Sequence, residues 1–258
     1  MPGAAAYRSR MRMTVLGGCG AWPGAGQACS GYLLEADGFR LLIDPGYATL
    51  PRLLEHIDAT EVDAVLVSHE HPDHCADLNP LLRARALRDD PAPPLPLHAL
   101  PGALDAILAL DHGMLTERRH TYDLHTFGDR DQLVIGPFVV DVRLLPHSVP
   151  NAGFRITASA VLAYSGDCGP SPTLVELARD ADALVAEASY VDEMGDPSDI
   201  GRLSTAHDAA WQANAAGARR LMLTHLLPGT DPNKAISAAR ALYPGPLSVA
   251  RPGLVLEI

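Results

Sequence analysis

The chain has 258 residues and a formal net charge of −11, and among its twenty basic residues only Lys234 is a lysine. A chain this acidic has no global field to draw in a nucleic-acid backbone, and no apolar run approaches the roughly 18–20 residues of a membrane-spanning helix. The four cysteines, Cys19, Cys29, Cys75 and Cys168, lack the C-x-x-C spacing of a zinc ribbon and any pattern of a disulfide framework. The opening residues contain no continuous apolar core of a secretory signal. The expectation is therefore a cytoplasmic protein with reduced thiols, in which residues 1–10 are a loose extension and 11–258 form one domain.

In chain order, residues 11–17, 29–36 and 39–46 read as short strands joined by turns. A helical stretch over 48–56 follows, and then "VDAVLVSH" (62–69), a strand apolar throughout. Leu78, Leu81, Leu82 and Ala86 fall at helical spacing and predict a helix over 73–88. A proline-rich approach leads to a short strand before residue 100, and "GALDAILAL" reads as a helix. After a loop holding Arg118, Arg119 and His120, strands are expected over 133–146, 152–157 and 160–165. The last third alternates. Ser171 with Pro172 opens a helix, 181–189 is a strand, 204–218 is a helix with a Ser/Thr start and a glycine stop, 219–225 is a strand, 231–243 is a helix, and two short strands close the chain. This order predicts a layered α/β architecture with sheets inside and helices outside.

The strand over 62–69 ends in "SHEHPDH", which places His69, His71, Asp73 and His74 within six residues. Imidazole and carboxylate are ligands for Zn²⁺, and for Fe or Mn. In an extended segment His69 and His71 point to one side, while Pro72 breaks the strand so that Asp73 and His74 turn elsewhere. One loop can thus serve two neighbouring ions. Three further candidates stand where an apolar strand gives way to a loop: His147 in "LLPHSVP", Asp167 in "AYSGDCGP" and His225 in "LMLTHLLPG". Any one of these alone could equally be a satisfied core or surface residue.

Taken together, in this order, the residues resemble the metallo-β-lactamase superfamily of binuclear hydrolases over nearly the whole chain. "IDPG" (Asp44, Gly46) is similar to its Asp-x-Gly turn, and "SHEHPDH" to its signature motif. The resemblance implies an αβ/βα sandwich with the metals at one edge. It implies His69, His71 and His147 on one ion, Asp73, His74 and His225 on the other, and Asp167 bridging the two. Two divalent ions, zinc first with Mn or Fe as alternatives, would lower the pKa of a shared water and make hydroxide available near pH 7. Asp73 would act as proton acceptor as well as ligand.

"LAYSGDCGP" and "GARRLMLTHLLPGTDP" resemble the branch that holds RNase Z and small cyclic-nucleotide phosphodiesterases. RNase Z carries a long tRNA-binding arm between its third and fourth metal motifs. Here His147 and Asp167 are twenty residues apart, which with the acidic charge argues against tRNA and for a small-molecule substrate. Homodimers are common in this branch, so a dimer is implied by analogy. One departure stands out: where relatives have a histidine in an H-[LMS]-[ST] motif, this chain has Arg202. Glu187 matches the acidic partner of that histidine, so an Arg202–Glu187 pair presenting fixed positive charge to a phosphate is one expectation, and His207 turning into the site is another. The replacement equally suits a hydrolase of the same fold acting on a carboxylic ester, lactone or thioester. A non-catalytic binding protein is disfavoured because every ligand position is filled. His98, His112, His120 and His125 match no metal motif. Cys75 and Cys168 read as packing residues. "LGGCGAWPGAG" fails as a dinucleotide fingerprint and reads as a turn beside the site's mouth.

Overall fold

The computed structural model of the chain describes residues 10–111, 113 and 120–258. Nearly all of the expected N-terminal extension, together with His112, Arg118 and Arg119, lies outside the described residues. The polypeptide forms two seven-stranded mixed sheets. The first contains β1 (Arg12–Gly17), β2 (Gly31–Ala36), β3 (Phe39–Ile43), β4 (Ala64–Leu66), β5 (Leu95–Ala99) and β6 (Tyr122–Thr126) in that order, with the closing strand β14 (Val255–Glu257) beside β1. The second runs from β7 (Gln132–Ile135) through β8 (Phe138–Leu145), β9 (Asn151–Thr157), β10 (Val161–Tyr164), β11 (Ala183–Glu187) and β12 (Leu221–Thr224) to β13 (Leu247–Val249).

The inner core joins the sheets, because their apolar strands can leave water only against each other. Met13, Leu34, Leu42 and Leu97 of the first sheet share one apolar cluster with Phe138, Phe154, Val185 and Met222 of the second. Aromatic pairs cross the interface edge to face, Phe39 on Phe138 and Tyr32 on Tyr164, with ring centroids 6.2 and 5.3 Å apart. On the outer face of the second sheet lie α5 (Pro172–Leu177), α6 (Ala206–Ala216) and α7 (Pro232–Arg240). Their contact is rich in alanine, with Ala206, Ala209, Ala210 and Ala213 fully buried. The expected helix starts hold: Ser171 caps α5 and Thr205 caps α6 through a capping box with Asp208, while Gly217 ends α6 in the left-handed conformation.

Three elements differ from the sequence expectation. The helix expected over 73–88 is two, α2 (Pro72–Cys75) and α3 (Leu78–Ala86), because Asp77 leaves helical register to accept the backbone N–H of Leu50 at 2.7 Å. The strand expected over 133–146 is the hairpin of β7 and β8, turned at Gly136 with φ 54°. Strand β6, "YDLHT", was not expected: it is an edge strand with four exposed residues and needs no apolar face to pair with β5. The remaining helices are α1 (Thr49–Leu53) and α4 (Asp105–Ala109). Among the described residues no helix is long and apolar enough to cross a membrane.

In the first sheet β3 to β6 are parallel, and in the second β10 to β13. Parallel strands carry their outgoing loops at one edge, where ligand sites gather. Asp44, Ser68–His69, Ser165–Asp167, Glu187–Ser189 and His225 all stand at or just beyond the ends of such strands.

Candidate metal centre

The site is assembled from the turn after β3. Asp44 is fully buried with φ 48°, a left-handed conformation that Asp tolerates better than most residues. Its carboxylate accepts four hydrogen bonds: from Ser68 N at 2.7 Å, Ser68 Oγ at 2.6 Å, His74 Nδ1 at 2.8 Å and Tyr164 Oη at 2.6 Å. Two residues on, a Cβ at Gly46 would stand 1.8 Å from the carbonyl oxygen of Asp73. Only glycine lets the turn lie against the ligand loop, which is the physical content of the Asp-x-Gly pattern.

The seven expected ligand residues converge in two clusters that share Asp167. His69, His71, His147 and Asp167 form one, and Asp73, His74, Asp167 and His225 the other, with one ligand atom per residue lying within 4.8 Å of the rest of its cluster. In the first, His71 Nδ1 lies 3.1 Å from His69 Nε2 and 3.2 Å from His147 Nε2. Tetrahedral ligation at roughly 2.0–2.1 Å places donors about 3.3 Å apart, so the three nitrogens stand at coordination spacing. In the second, His225 Nε2 is 3.0 Å from Asp73 Oδ2 and 3.1 Å from Asp167 Oδ2, and His74 Nε2 is 3.1 Å from Asp167 Oδ1. His74 Nε2 and Asp167 Oδ1 are buried without an aligned hydrogen-bond partner. A divalent cation satisfies both, and the residues fit one in each cluster.

The outer ring nitrogens are held from behind, which fixes tautomer and orientation. Besides His74 on Asp44, His69 Nδ1 meets Ser68 Oγ at 3.0 Å, His147 Nδ1 donates to the Arg202 carbonyl at 3.0 Å, and His225 Nδ1 meets Ser189 Oγ at 2.9 Å. His225 itself has φ 61°. A Cβ at Gly20 would lie 2.6 Å from the His225 carbonyl and 2.7 Å from its Nδ1, and Ala21 N donates to Asp73 Oδ2 at 2.8 Å. The glycine-rich stretch after β1 is therefore a wall of the second cluster.

Charge inside the site is strongly coupled. Burial works to raise the Asp167 carboxyl, but His225 and His74 outweigh it and hold the group well below the ordinary range. Burial likewise opposes protonation of His74 and His225, yet Asp167 and Asp73 push both upward. His69 is held well below its ordinary value by burial and by the neighbouring imidazole of His74. The buried anionic oxygens thus call for cationic partners at their shared focus.

The other expected site residues fare differently. Arg202 is exposed and lines the cleft of about 210 Å³ with His71, Asp73, His147 and Asp167. The expected Arg202–Glu187 pair is not formed among the described ion pairs: the fully buried Glu187 carboxylate instead accepts Ser189 N at 2.8 Å and Ser204 N at 2.7 Å. Two backbone donors already satisfy it, and burial pushes its carboxyl up to about 8. His207 does not line the cleft. It is the second residue of α6, partly exposed, with Nδ1 3.5 Å from Asp192 Oδ1, and the capping box at Thr205 fixes that direction. Sequence reasoning assigned no role to Ser68, Ser189, Tyr164 or Asp199, the last of which lines the cleft and accepts the Tyr190 hydroxyl at 2.6 Å. Ser68 and Ser189 flank strand ends and were findable there; Tyr164 reaches Asp44 across 120 residues, and no local pattern signals it. His98 and His125 stack on each other at 5.0 Å on β5 and β6, away from the clusters, and His120 pairs with Asp123. Cys75 and Cys168 are buried packing residues, their thiols pushed up by burial.

Comparison with known proteins agrees with this architecture. A family model described as a beta-lactamase superfamily domain matches residues 39–226. An uncharacterized protein of Mycobacterium tuberculosis is 37% identical over 246 residues, covering 92% of this chain and 88% of that one. The probable metallo-hydrolase YhfI of Bacillus subtilis is 32% identical over 253 residues, covering 96% of this chain and all of that one. Its crystal structure superposes with a TM-score of 0.88, covering 97% of this chain and 100% of that one. Ribonuclease Z of Myxococcus xanthus is 27% identical over 303 positions, covering 97% of this chain and 98% of that one. With two sheets packed on one core, two His/Asp clusters able to hold metal ions and these relatives, the chain belongs to the metallo-β-lactamase superfamily and is a metallo-hydrolase.

Proposed function

We propose that this protein is a dinuclear metal-dependent phosphodiesterase acting on a small phosphodiester such as a cyclic nucleotide. The observation that carries the reading is Asp167, one buried carboxylate shared by both ligand clusters. Two divalent ions, zinc first, held by His69, His71 and His147 and by Asp73, His74 and His225, would supply Lewis acidity and an activated water there. Asp73, anchored by Ala21 N, is both ligand and proton acceptor. The Arg202 guanidinium on the cleft rim offers fixed positive charge to a phosphate oxygen without donating a proton at neutral pH, and its carbonyl keeps His147 in register. Glu187 ties the Ser189 and Ser204 backbones together, so that Ser189 can hold His225.

The ribonuclease likeness supports phosphodiester chemistry. The alignment with that enzyme runs to 303 positions where this chain has 258 residues, and the net charge is −11; both favour a small substrate over tRNA. A second reading, hydrolysis of a carboxylic ester, lactone or thioester, is favoured by Arg202 standing in place of the motif histidine. The test is a paired assay on metal-quantified protein. Bis-p-nitrophenyl phosphate and 2′,3′- and 3′,5′-cyclic AMP are compared with p-nitrophenyl esters and lactones, with Asp73→Ala as blank. Phosphodiester turnover abolished in the variant is expected. Turnover confined to carboxylic esters or lactones refutes the reading.

A further inference from the structure

Beside the metal cleft lies a second cavity of about 370 Å³, between the loop 18–27 and the segment after His225. Its volume falls in the roughly 300–1,000 Å³ range of small-molecule sites. Leu227 lines both spaces. The partition between them is one layer of backbone: Gly20 N donates to the Leu226 carbonyl at 3.1 Å, Gly20 packs on the His225 ring, and Ala21 N reaches Asp73. Leu227 is the rim common to both spaces, so a substrate whose reacting atoms lie among Asp73, Asp167 and His225 would reach the second cavity over Leu227, around the backbone layer and not through it.

The lining states the chemistry of that remainder. Leu227, Pro228 and Val249 give apolar surface, Gln27, Thr230 and Arg251 give polar groups, and no carboxylate among the described residues lines the cavity. Among the described residues Arg251 forms no ion pair within 4 Å, and the Gln27 side chain makes no hydrogen bond, so both are uncommitted. A glutamine amide presents a donor and an acceptor side by side, the complement of a purine edge. A guanidinium stacks on flat aromatic faces. The apolar groove on the other side of the ligand loop, along Tyr47, Ile107 and Leu110, carries the carboxylates of Glu70 and Asp77 instead, which repel an anionic substrate.

We propose that this cavity is a base subsite, taking the purine of a nucleotide whose phosphate lies in the metal cleft, with Gln27 reading the base edge and Arg251 covering its face. The proposal rests on the phosphodiesterase reading and names the substrate's recognised part.

The experiment uses the metal-loaded protein with cyclic AMP, cyclic GMP and bis-p-nitrophenyl phosphate, which has no base. Gln27→Ala and Arg251→Ala should each lower the ratio of kcat/KM for cyclic AMP to that for bis-p-nitrophenyl phosphate by about tenfold, mainly through KM. Gln27→Glu, which exchanges a donor for an acceptor, should change the cyclic AMP to cyclic GMP preference, a readout that a merely structural role does not move. Ratios and preference unchanged within twofold in folded variants overturn the subsite and leave the phosphodiesterase reading standing. Where the wild type turns over no phosphodiester, that reading has failed, and adenosine binding followed by saturation-transfer NMR decides alone. Signals that disappear in Thr230→Leu support the subsite. Absence of adenosine binding, or binding of inorganic phosphate at Arg251 in its place, overturns it.

Discussion

Asp44→Asn is the sharpest perturbation of the centre, because it keeps shape and removes an acceptor. Oδ2 takes three donors, Ser68 Oγ, His74 Nδ1 and Tyr164 Oη, and Oδ1 takes Ser68 N. The better orientation of the asparagine leaves its oxygen at the Oδ2 position and turns its NH₂ against the Ser68 N–H. Two buried donors then face each other, each costing roughly 1–3 kcal/mol unsatisfied. The three remaining bonds lose charge assistance, which about halves them. The sum is about 4–10 kcal/mol of folding stability, comparable with the whole of the roughly 5–15 kcal/mol typical of a domain. His74 also loses its anionic partner, and loss of such an orienting contact lowers metal affinity about 10–100-fold. Urea denaturation of chelator-treated protein measures the first quantity, and competition against a calibrated chelator the second. A variant within about 1 kcal/mol of wild type, and within about threefold in affinity, refutes the claim that Asp44 organises the site.

Other outcomes follow from the same geometry. Gly20→Ala would put a methyl group against the His225 carbonyl and ring; metal analysis should show loss from the second cluster first, with about 1–3 kcal/mol of destabilisation, and full stoichiometry in a stable variant contradicts the packing. Removing metal should lower Tm: an ion held at 1,000 times its Kd contributes about 4 kcal/mol, about 8–16 °C for a chain of this size, read by differential scanning fluorimetry with and without chelator. His98 is lowered to about 4 by burial and by His125. Because its folded value is depressed, its contribution is present above the unfolded value near 6.5 and is lost as pH falls from there through 4. The side chain is partly exposed, so screening discounts the effect to about 1–2 kcal/mol. The stability difference between wild type and His98→Phe should change by that amount between pH 7.5 and 4.5, and a pH-independent difference refutes it.

Much of the centre is legible in the sequence because its ligands are written at strand ends. A buried strand must be apolar until it stops, so His69 after "AVLVS", Asp167 after "VLAYSG" and His225 after "LMLT" stand out as polar breaks in apolar runs. The Pro72 break between His71 and Asp73 foretells that one loop serves two clusters, as it does. What stayed hidden has a common cause. Edge strand β6 is polar because one of its sides faces water, and Asp77 splits a helix by bonding to Leu50, a partner 27 residues away.

The sequence by itself determined the layered α/β class from local periodicity, and its residue chemistry together with a family resemblance marked seven candidate ligand residues and the turn at Asp44 and Gly46. Only the tertiary structure decided what supports and surrounds them. Tyr164 and Ser68 converge on Asp44, Glu187 turns from Arg202 to two backbone amides, His207 faces Asp192, and loop 18–27 closes against Leu227 to form a second cavity. Apart from the contact between Glu187 and Ser189, those relations join residues about fifteen to more than a hundred positions apart. They depend on how two sheets stack and which strand ends meet, information that no short window of the chain contains.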